Sequence, residues 1–475
     1  MAALLLVAAV APAQTARQAA MPGANGVPAT VNLPYVEAKP VLETLREELL
    51  PAEFRARAPA DIEAIWPAWV SRHDTEIRAR LDRGDEDSII NLLLFGVTFT
   101  TRPRVGERDV PPPRQSGQFL DGPLIQGRLA DLVAGITSAG ANERLVFARR
   151  VAERHGFDLA TVAGRDQLRH YLDEGLRRVW AENEAYAGTK ADEQLHSDPS
   201  ARTVEEGTFF RDRGLSSDTS IFPNFAVEQA LTALQANGTL RGGAIRRVAI
   251  VGPGLDFTDK RDGYDFYPQQ TLQPFAVIDS LIRIGVAEPG DLRVMTFDLS
   301  PRVNQHLENA RERARANEPY PLNVPRDTEV RWKPELATYW ERFGDRIGEP
   351  AEFAAPRGAG SVLVRSVRVR PGIVASIVPK DLNIVLQRLE PLPPKDRFDL
   401  VIATNVLVYY SVFEQSLALT NIARMLRPGG LFLSNTELAM LPALPILRLG
   451  YTEMVYSDRA NAADRLVWFQ RLPSN

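Results

Sequence analysis

Five short apolar runs punctuate the second half of the chain, and four of them end in residues that a buried strand does not need. Residues 246–251 end in Gly252-Pro253-Gly254, residues 292–297 in Asp298, residues 373–378 near Asp381, and residues 398–402 in Thr404-Asn405. The fifth, 431–433, follows the turn Arg427-Pro428-Gly429-Gly430. Helical patterns fall between them at 275–284, 303–316 and 413–426. Apolar runs of this length alternating with helices read as βαβ units, whose strands are covered on both faces. The expectation is an α/β, Rossmann-like, doubly wound sheet that is mostly parallel. Two more strand-like runs, 452–456 and 466–472, have no helix between them and predict a terminal antiparallel hairpin on the sheet edge.

The first half has a different period. Ile62, Ile65, Trp66, Trp69 and Val70 recur at helical spacing, as do Leu129, Leu132, Val133 and Ile136, and again His170, Leu172, Leu176 and Val179. Residues 35–187 therefore read as a mainly helical domain, interrupted by a loop at Pro111-Pro112-Pro113. Residues 188–204 are polar and breaker-rich and read as a linker, which leaves 205–475 for the sheet domain. At the start, an apolar run over 2–10 precedes Ala11-Pro12-Ala13, the shape of a secretory signal peptide over 1–13. An Ala/Gly/Pro-rich lead-in over 14–34 is expected to be flexible. No Lys or Arg precedes the apolar run, so the alternatives are a true start upstream or an ordinary N-terminal helix. The leader implies an exported or periplasmic protein, and its absence a cytoplasmic one. No run reaches ~18 uninterrupted apolar residues, so no transmembrane segment is expected.

Composition narrows the chemistry. A chain of 475 residues predicts two or three domains. Its net charge of −4 gives no footprint for nucleic acid. The lack of cysteine removes disulfides, thiolate zinc sites, iron–sulfur clusters and a cysteine nucleophile together. The five histidines, His73, His155, His170, His196 and His306, show no ligand spacing, so no metal is expected. No phosphate-loop, nucleophile-elbow or HExxH pattern supports nucleotide hydrolysis, serine hydrolysis or zinc proteolysis.

In doubly wound sheets, ligands bind at the carboxyl ends of the strands near the switch in strand order. The unusual residues sit at those ends. Gly252 and Gly254 allow a tight turn and close approach of the backbone to a ligand. A carboxylate at Asp298 can accept hydrogen bonds from both hydroxyls of a ribose. Ser300, with Pro301 at the first helical position, is the better cap for the next helix, which leaves Asp298 for other work. Asp256 and Asp381 each read two ways, as ligand contacts or as caps.

Taken together and in order, VAIVGPGLDF, VMTFDLSP, FDLVIATNVLVYY and ARMLRPGGLFLSN resemble the class I S-adenosylmethionine-dependent methyltransferases over about 205–472. A narrower likeness to the CheR-type glutamate methyltransferases rests on Gly207-Thr208-Phe209-Phe210-Arg211-Asp212 and on Asn405-Val406-Leu407-Val408-Tyr409-Tyr410. The resemblance implies S-adenosylmethionine as cofactor, held by Gly252, Gly254, Asp256, Asp298, Asp381, Leu382 and Asn405. It implies methyl transfer to a small-molecule or protein acceptor, through a carboxylate or another oxygen. Tyr409 would line the transfer pocket and Arg211 would pair with the cofactor's methionine carboxylate. The plainer readings are a core aromatic for Tyr409 and a bridging or surface arginine for Arg211. Tyr264, Phe266 and Tyr267, in the loop 258–270, read either as a substrate lid or as local packing. The alternating stretch 362–370 reads as a strand with one basic face, either meeting an acidic substrate or, the plainer reading, forming an edge strand guarded by arginines. The competing function is an exported, non-catalytic binding protein on the same fold. A nucleotide-dependent oxidoreductase is disfavoured, because the first motif lacks a third glycine.

Overall fold

The computed structural model describes residues 28–106, 109, 116–193, 214–217, 219–256, 263–356, 359–458 and 463–473. The leader 1–13, the lead-in up to residue 27, the triple proline, Arg211 and the linker from 194 on lie outside the described residues.

Seven strands form the central sheet: β1 (Arg247–Val251), β2 (Arg293–Asp298), β3 (Ile377–Asp381), β4 (Phe398–Ala403), β5 (Leu426–Ser434), β6 (Ile446–Val455) and β7 (Ala463–Arg471). Their order is β6-β7-β5-β4-β1-β2-β3. The strands β1 to β5 run parallel, and β7 is antiparallel to both of its neighbours, β5 and β6. The expected terminal hairpin is therefore present, with β7 paired inward and β6 at the edge. The strand order switches direction between β1 and β4.

Side chains alternate between two apolar layers with the period of a strand. Val248, Ile250, Leu400 and Ile402 belong to one layer; Ala249, Val251, Val401 and Ala403 belong to the other. The first layer is closed by the helices Ile221–Ala236, Gln273–Arg283 and Pro301–Arg315. The second is closed by Val412–Met425 and by the N-terminal arm, helix α1 (Tyr35–Thr44) and the first half of helix α2 (Pro59–Phe95). Among the described residues, the β3–β4 connection contributes no α-helix to this face. Trp66, Trp69, Val70 and Ile77 of α2 cover it instead, with Trp69 edge-on to Phe413 at 5.8 Å.

The second half of α2 belongs elsewhere. Ile89, Ile90, Leu92, Leu93 and Leu94 pack with the helices Pro123–Thr137, Glu143–Arg154 and Val162–Glu193 in a separate core. Fully buried Arg128 caps the end of α2, donating to the carbonyls of Leu93 (2.7 Å) and Gly96 (2.5 Å). The helical reading of the first half is thus correct in kind, but its apolar residues divide between two cores near the middle of α2.

Four local expectations change. Residues 29–32 of the lead-in form a strand, Ala29–Asn32, paired with Gln387–Glu390, and the buried Leu33 carbonyl accepts from Trp66 Nε1 at 2.8 Å. Residues 188–193 continue the helix Val162–Glu193. Ile373 and Val374 lie in a short helix, Pro371–Ala375, so β3 starts only at Ile377. Val362–Val369 is the middle strand of a separate three-stranded antiparallel sheet, between Tyr320–Asp327 and Gly348–Ala351. It is not an edge. Its Arg365 is spent locally, on Asp345 (2.5 Å) and the Phe343 carbonyl (3.1 Å).

Candidate functional site

The carboxyl ends of β4, β1 and β2 lie side by side around the switch in strand order, and four of the expected residues gather there. After β1 the chain turns through Gly252 (φ +65°) and Gly254 (φ +70°), both in the left-handed region. A Cβ on Gly252 would lie 2.5 Å from Val406 Cγ2, so a side chain is excluded there by sterics as well as by φ.

Asp298 ends β2 half-buried beside that turn. Its Oδ1 accepts from the Ser300 N–H at 2.8 Å, and its carboxylate also accepts from the Gly254 N–H. Desolvation pushes its pKa up to about 6, against the lowering effect of those two bonds. Ser300 does occupy the N-cap position with Pro301 behind it, but its side chain makes no capping bond. Asp298 thus takes over one of the free helix N–H groups. A strand-end carboxylate beside a glycine turn is a donor and acceptor set that suits the diol of a ribose.

Asn405 follows β4 with φ +57°. Its N–H donates to Asn435 Oδ1 at 2.8 Å, and Asn435 Nδ2 donates back to Asn405 Oδ1 at 2.5 Å. Behind it, Gln273 Nε2 donates to Thr404 Oγ1 at 2.7 Å.

Other expected residues are engaged differently. Asp381 ends β3 exposed, ion-paired with Arg78 of α2 at 2.8 Å. Leu382 is 1% exposed and packs in the second apolar layer, so its side chain is core. Asp256 is buried in a polar junction. Its Oδ2 accepts from Tyr267 Oη (2.7 Å) and Gln270 Nε2 (3.2 Å), and burial pushes its pKa up. Arg144, from the helical region, donates to the carbonyls of Tyr267 (2.6 Å), Asp265 (3.2 Å) and Asp256 (3.4 Å). Tyr264 and Tyr267 are almost fully buried, under Arg104 and Arg144 respectively. Local packing is therefore the reading that holds for these aromatics. Tyr409 sits half-buried in the turn Leu407–Tyr409 against the second apolar layer, and its carbonyl accepts from Arg80 Nη2 at 2.9 Å.

Three residues that bear on the site went unseen in the sequence. Arg78 and Arg80 lie in a helix remote in the chain, and nothing local marks them. Asn435 had a signal: it follows an apolar run, just as Asn405 does.

No helix among the described residues is long and apolar enough to cross a membrane, and none of their acidic and histidine side chains cluster as metal ligands.

The methyltransferase-domain family matches residues 365–434, which span β3, β4 and β5. Among curated proteins, none matches the chain. Solved structures similar to it include the N-methyltransferase NodS from Bradyrhizobium japonicum WM9 with S-adenosyl-L-homocysteine, at 12% identity and a TM-score of 0.25, over 58% of this chain and 99% of that one. Magnesium protoporphyrin IX methyltransferase from Synechocystis PCC 6803 with bound SAM has 11% identity and a TM-score of 0.25, over 53% and 80%. TrmN from Thermus thermophilus has 14% identity and a TM-score of 0.24, over 53% and 52%. The second half of the chain has a methyltransferase-like Rossmann fold, and the methyltransferase-domain match covers its strands β3, β4 and β5.

Proposed function

We propose that the protein transfers a methyl group from S-adenosylmethionine to an oxygen acceptor. The observation that carries this reading is the placement of Gly252, Gly254, Asp298 and Asn405 at the adjoining ends of β1, β2 and β4. Gly252 and Gly254 give the cofactor a close backbone approach, and Asp298 accepts from its ribose hydroxyls. The cofactor supplies an electrophilic methyl on a sulfonium: the S–C bond breaks with its electron pair left on sulfur, while an acceptor lone pair makes the new bond. A carboxylate acceptor needs no general base, because it has no proton to lose. The protein's part is then orientation and exclusion of water.

Calorimetric titration with S-adenosylmethionine and S-adenosylhomocysteine tests the reading. Micromolar binding that is lost in Asp298→Ala supports it, and absence of binding overturns it.

A second reading, binding without catalysis, is favoured by the spending of Asp256 and Leu382 on packing and of Asp381 on Arg78. Cofactor-dependent labelling of any acceptor removes it. The leader pattern at 1–13 supports export, and N-terminal sequencing of the mature chain tests it, with Gln14 as the expected first residue.

A further inference from the structure

The paired asparagines at the ends of β4 and β5 carry more information than their distances. A backbone N–H can only donate. The Asn435 atom that meets the Asn405 N–H must therefore be Oδ1. The other end of the same amide is then Nδ2, which can only donate, so the Asn405 atom that meets it must be Oδ1. Each bond fixes the next, and the amide orientations follow from chemistry rather than from assignment. Asn405 is exposed at the carboxyl edge of the sheet, and among the described residues its Nδ2 group has no protein partner. The left-handed backbone at Asn405 (φ +57°) turns its N–H toward the end of β5, and asparagine is one of the few side chains that tolerate this conformation.

We infer that Asn435 is a positioning residue that turns the amide N–H2 group of Asn405 outward, so that this edge of the site receives an oxygen acceptor, a carboxylate, in preference to an amine. The inference rests on the methyl-transfer reading above and names the acceptor class for that site. An ammonium group has no lone pair to offer to N–H donors. A neutral amine has one, and it is the pair that methylation consumes. A carboxylate has lone pairs on both oxygens, so one oxygen can be held by Asn405 while the other attacks. The methyl then moves from sulfur to oxygen, the carboxylate charge is lost in the ester, and no proton has to be placed.

The test uses the full chain with 15N-labelled asparagine, acetate and methylammonium as probes, and S-adenosylhomocysteine present or absent. Asn405→Gly, which suits the left-handed backbone, identifies the Asn405 side-chain resonances. In the wild-type protein acetate is expected to shift that N–H2 pair and methylammonium to leave it in place. Asn435→Asp inverts the device. An aspartate has acceptors only, so it draws Asn405 Nδ2 inward and turns Oδ1 outward. In N435D methylammonium is expected to move the pair and acetate to lose its effect. A mere packing role for Asn435 would not reverse the selectivity. If N435D fails to fold, Asn435→Ala is read instead, with a several-fold weaker acetate response expected. A wild-type response to methylammonium, no response to acetate, or an unchanged pattern in the Asn435 variants overturns the inference. Cofactor binding without an acetate response overturns this inference alone. An acetate response without cofactor binding overturns the methyl-transfer reading instead.

Discussion

Asp298 and Asp381 stand opposite each other in the register of β2 and β3, and Arg78 of the N-terminal arm holds Asp381 at 2.8 Å. Two carboxylates at one edge repel, and the Asp381 charge adds to the upward push on Asp298. Arg78 screens that repulsion.

The first prediction concerns pH. On the proposed function, in which the Asp298 carboxylate binds the ribose, cofactor affinity is expected to fall as pH drops through about 6. Arg78→Ala leaves Asp381 uncompensated and is expected to move this midpoint upward. The stability effect has the opposite sign. A carboxyl whose pKa is higher folded than unfolded holds its proton more tightly in the folded state between the ordinary range and about 6. Its contribution therefore worsens as pH rises through that window. Asp298→Asn is expected to stabilise the apo protein at pH 7 by ~2 kcal/mol while removing cofactor binding. Calorimetry across pH and denaturant unfolding read the two effects separately.

A second prediction concerns the glycine turn. Gly252→Ala adds a methyl 2.5 Å from Val406 Cγ2 at a left-handed φ. It is expected to cost ~2–3 kcal/mol and to displace Val406 beside Asn405. Val406→Ala in the same chain recovers the steric part and leaves the backbone part, and a double-mutant cycle measures the difference.

The third prediction follows from His73. Its ring stacks on Trp69 at 4.6 Å and lies between Glu414 (2.8 Å) and Glu76 (3.0 Å). Burial pushes the imidazole down, but the bonds to Glu414 and Glu76 outweigh it and leave the pKa above 6.5. Burial likewise pushes Glu414 up, while His73 and Ser411 outweigh it and hold it below 4.5. The His73 share of stability is full below pH 6.5 and lost as pH rises through its folded pKa. The Glu414 share is full above 4.5 and lost as pH falls through its own. Together they favour the window between. His73→Ala strands a buried carboxylate and is expected to cost roughly 2–4 kcal/mol near pH 6, with a smaller penalty at pH 8. Unfolding curves at the two pH values check this.

A fourth prediction isolates the clamp on the loop after the glycine turn. Arg144 is 2% exposed and serves three carbonyls with one planar fork. Arg144→Lys keeps the charge but cannot span them, so it is expected to lose most of what Arg144→Met loses, about 2–4 kcal/mol. Hydrogen exchange in residues 263–270 should rise in both variants.

What was legible followed from period and chemistry. Buried parallel strands write themselves as apolar runs, so β1, β2 and β4 could be read to within a residue, and with them Gly252, Asp298 and Asn405. The same rule applied to β5 would have found Asn435. Val362–Val369 was misjudged because its alternation shows a strand but not its neighbours, and both of those lie within the same insertion. Ile373 and Val374 were apolar enough for a strand, but Pro371 starts a helical turn there. Asp256 and Leu382 enter as cofactor contacts through the resemblance, and a place in a motif does not reveal which face a side chain turns to. The Arg78–Asp381 pair joins segments with no common local pattern, so only the folded chain displays it.

The doubly committed helix α2 has a consequence for synthesis. Its front half is made well before the sheet, and His73 waits for Glu414, 341 residues further on. At about 5–20 residues per second, that is roughly 20–70 s on the ribosome. Throughout it Trp66, Trp69 and Phe54 have no sheet to cover. A nascent chain of this kind is expected to carry these aromatics exposed for that time, and a fragment limited to the sheet domain has the reverse difficulty: a bare aromatic-lined face prone to aggregate.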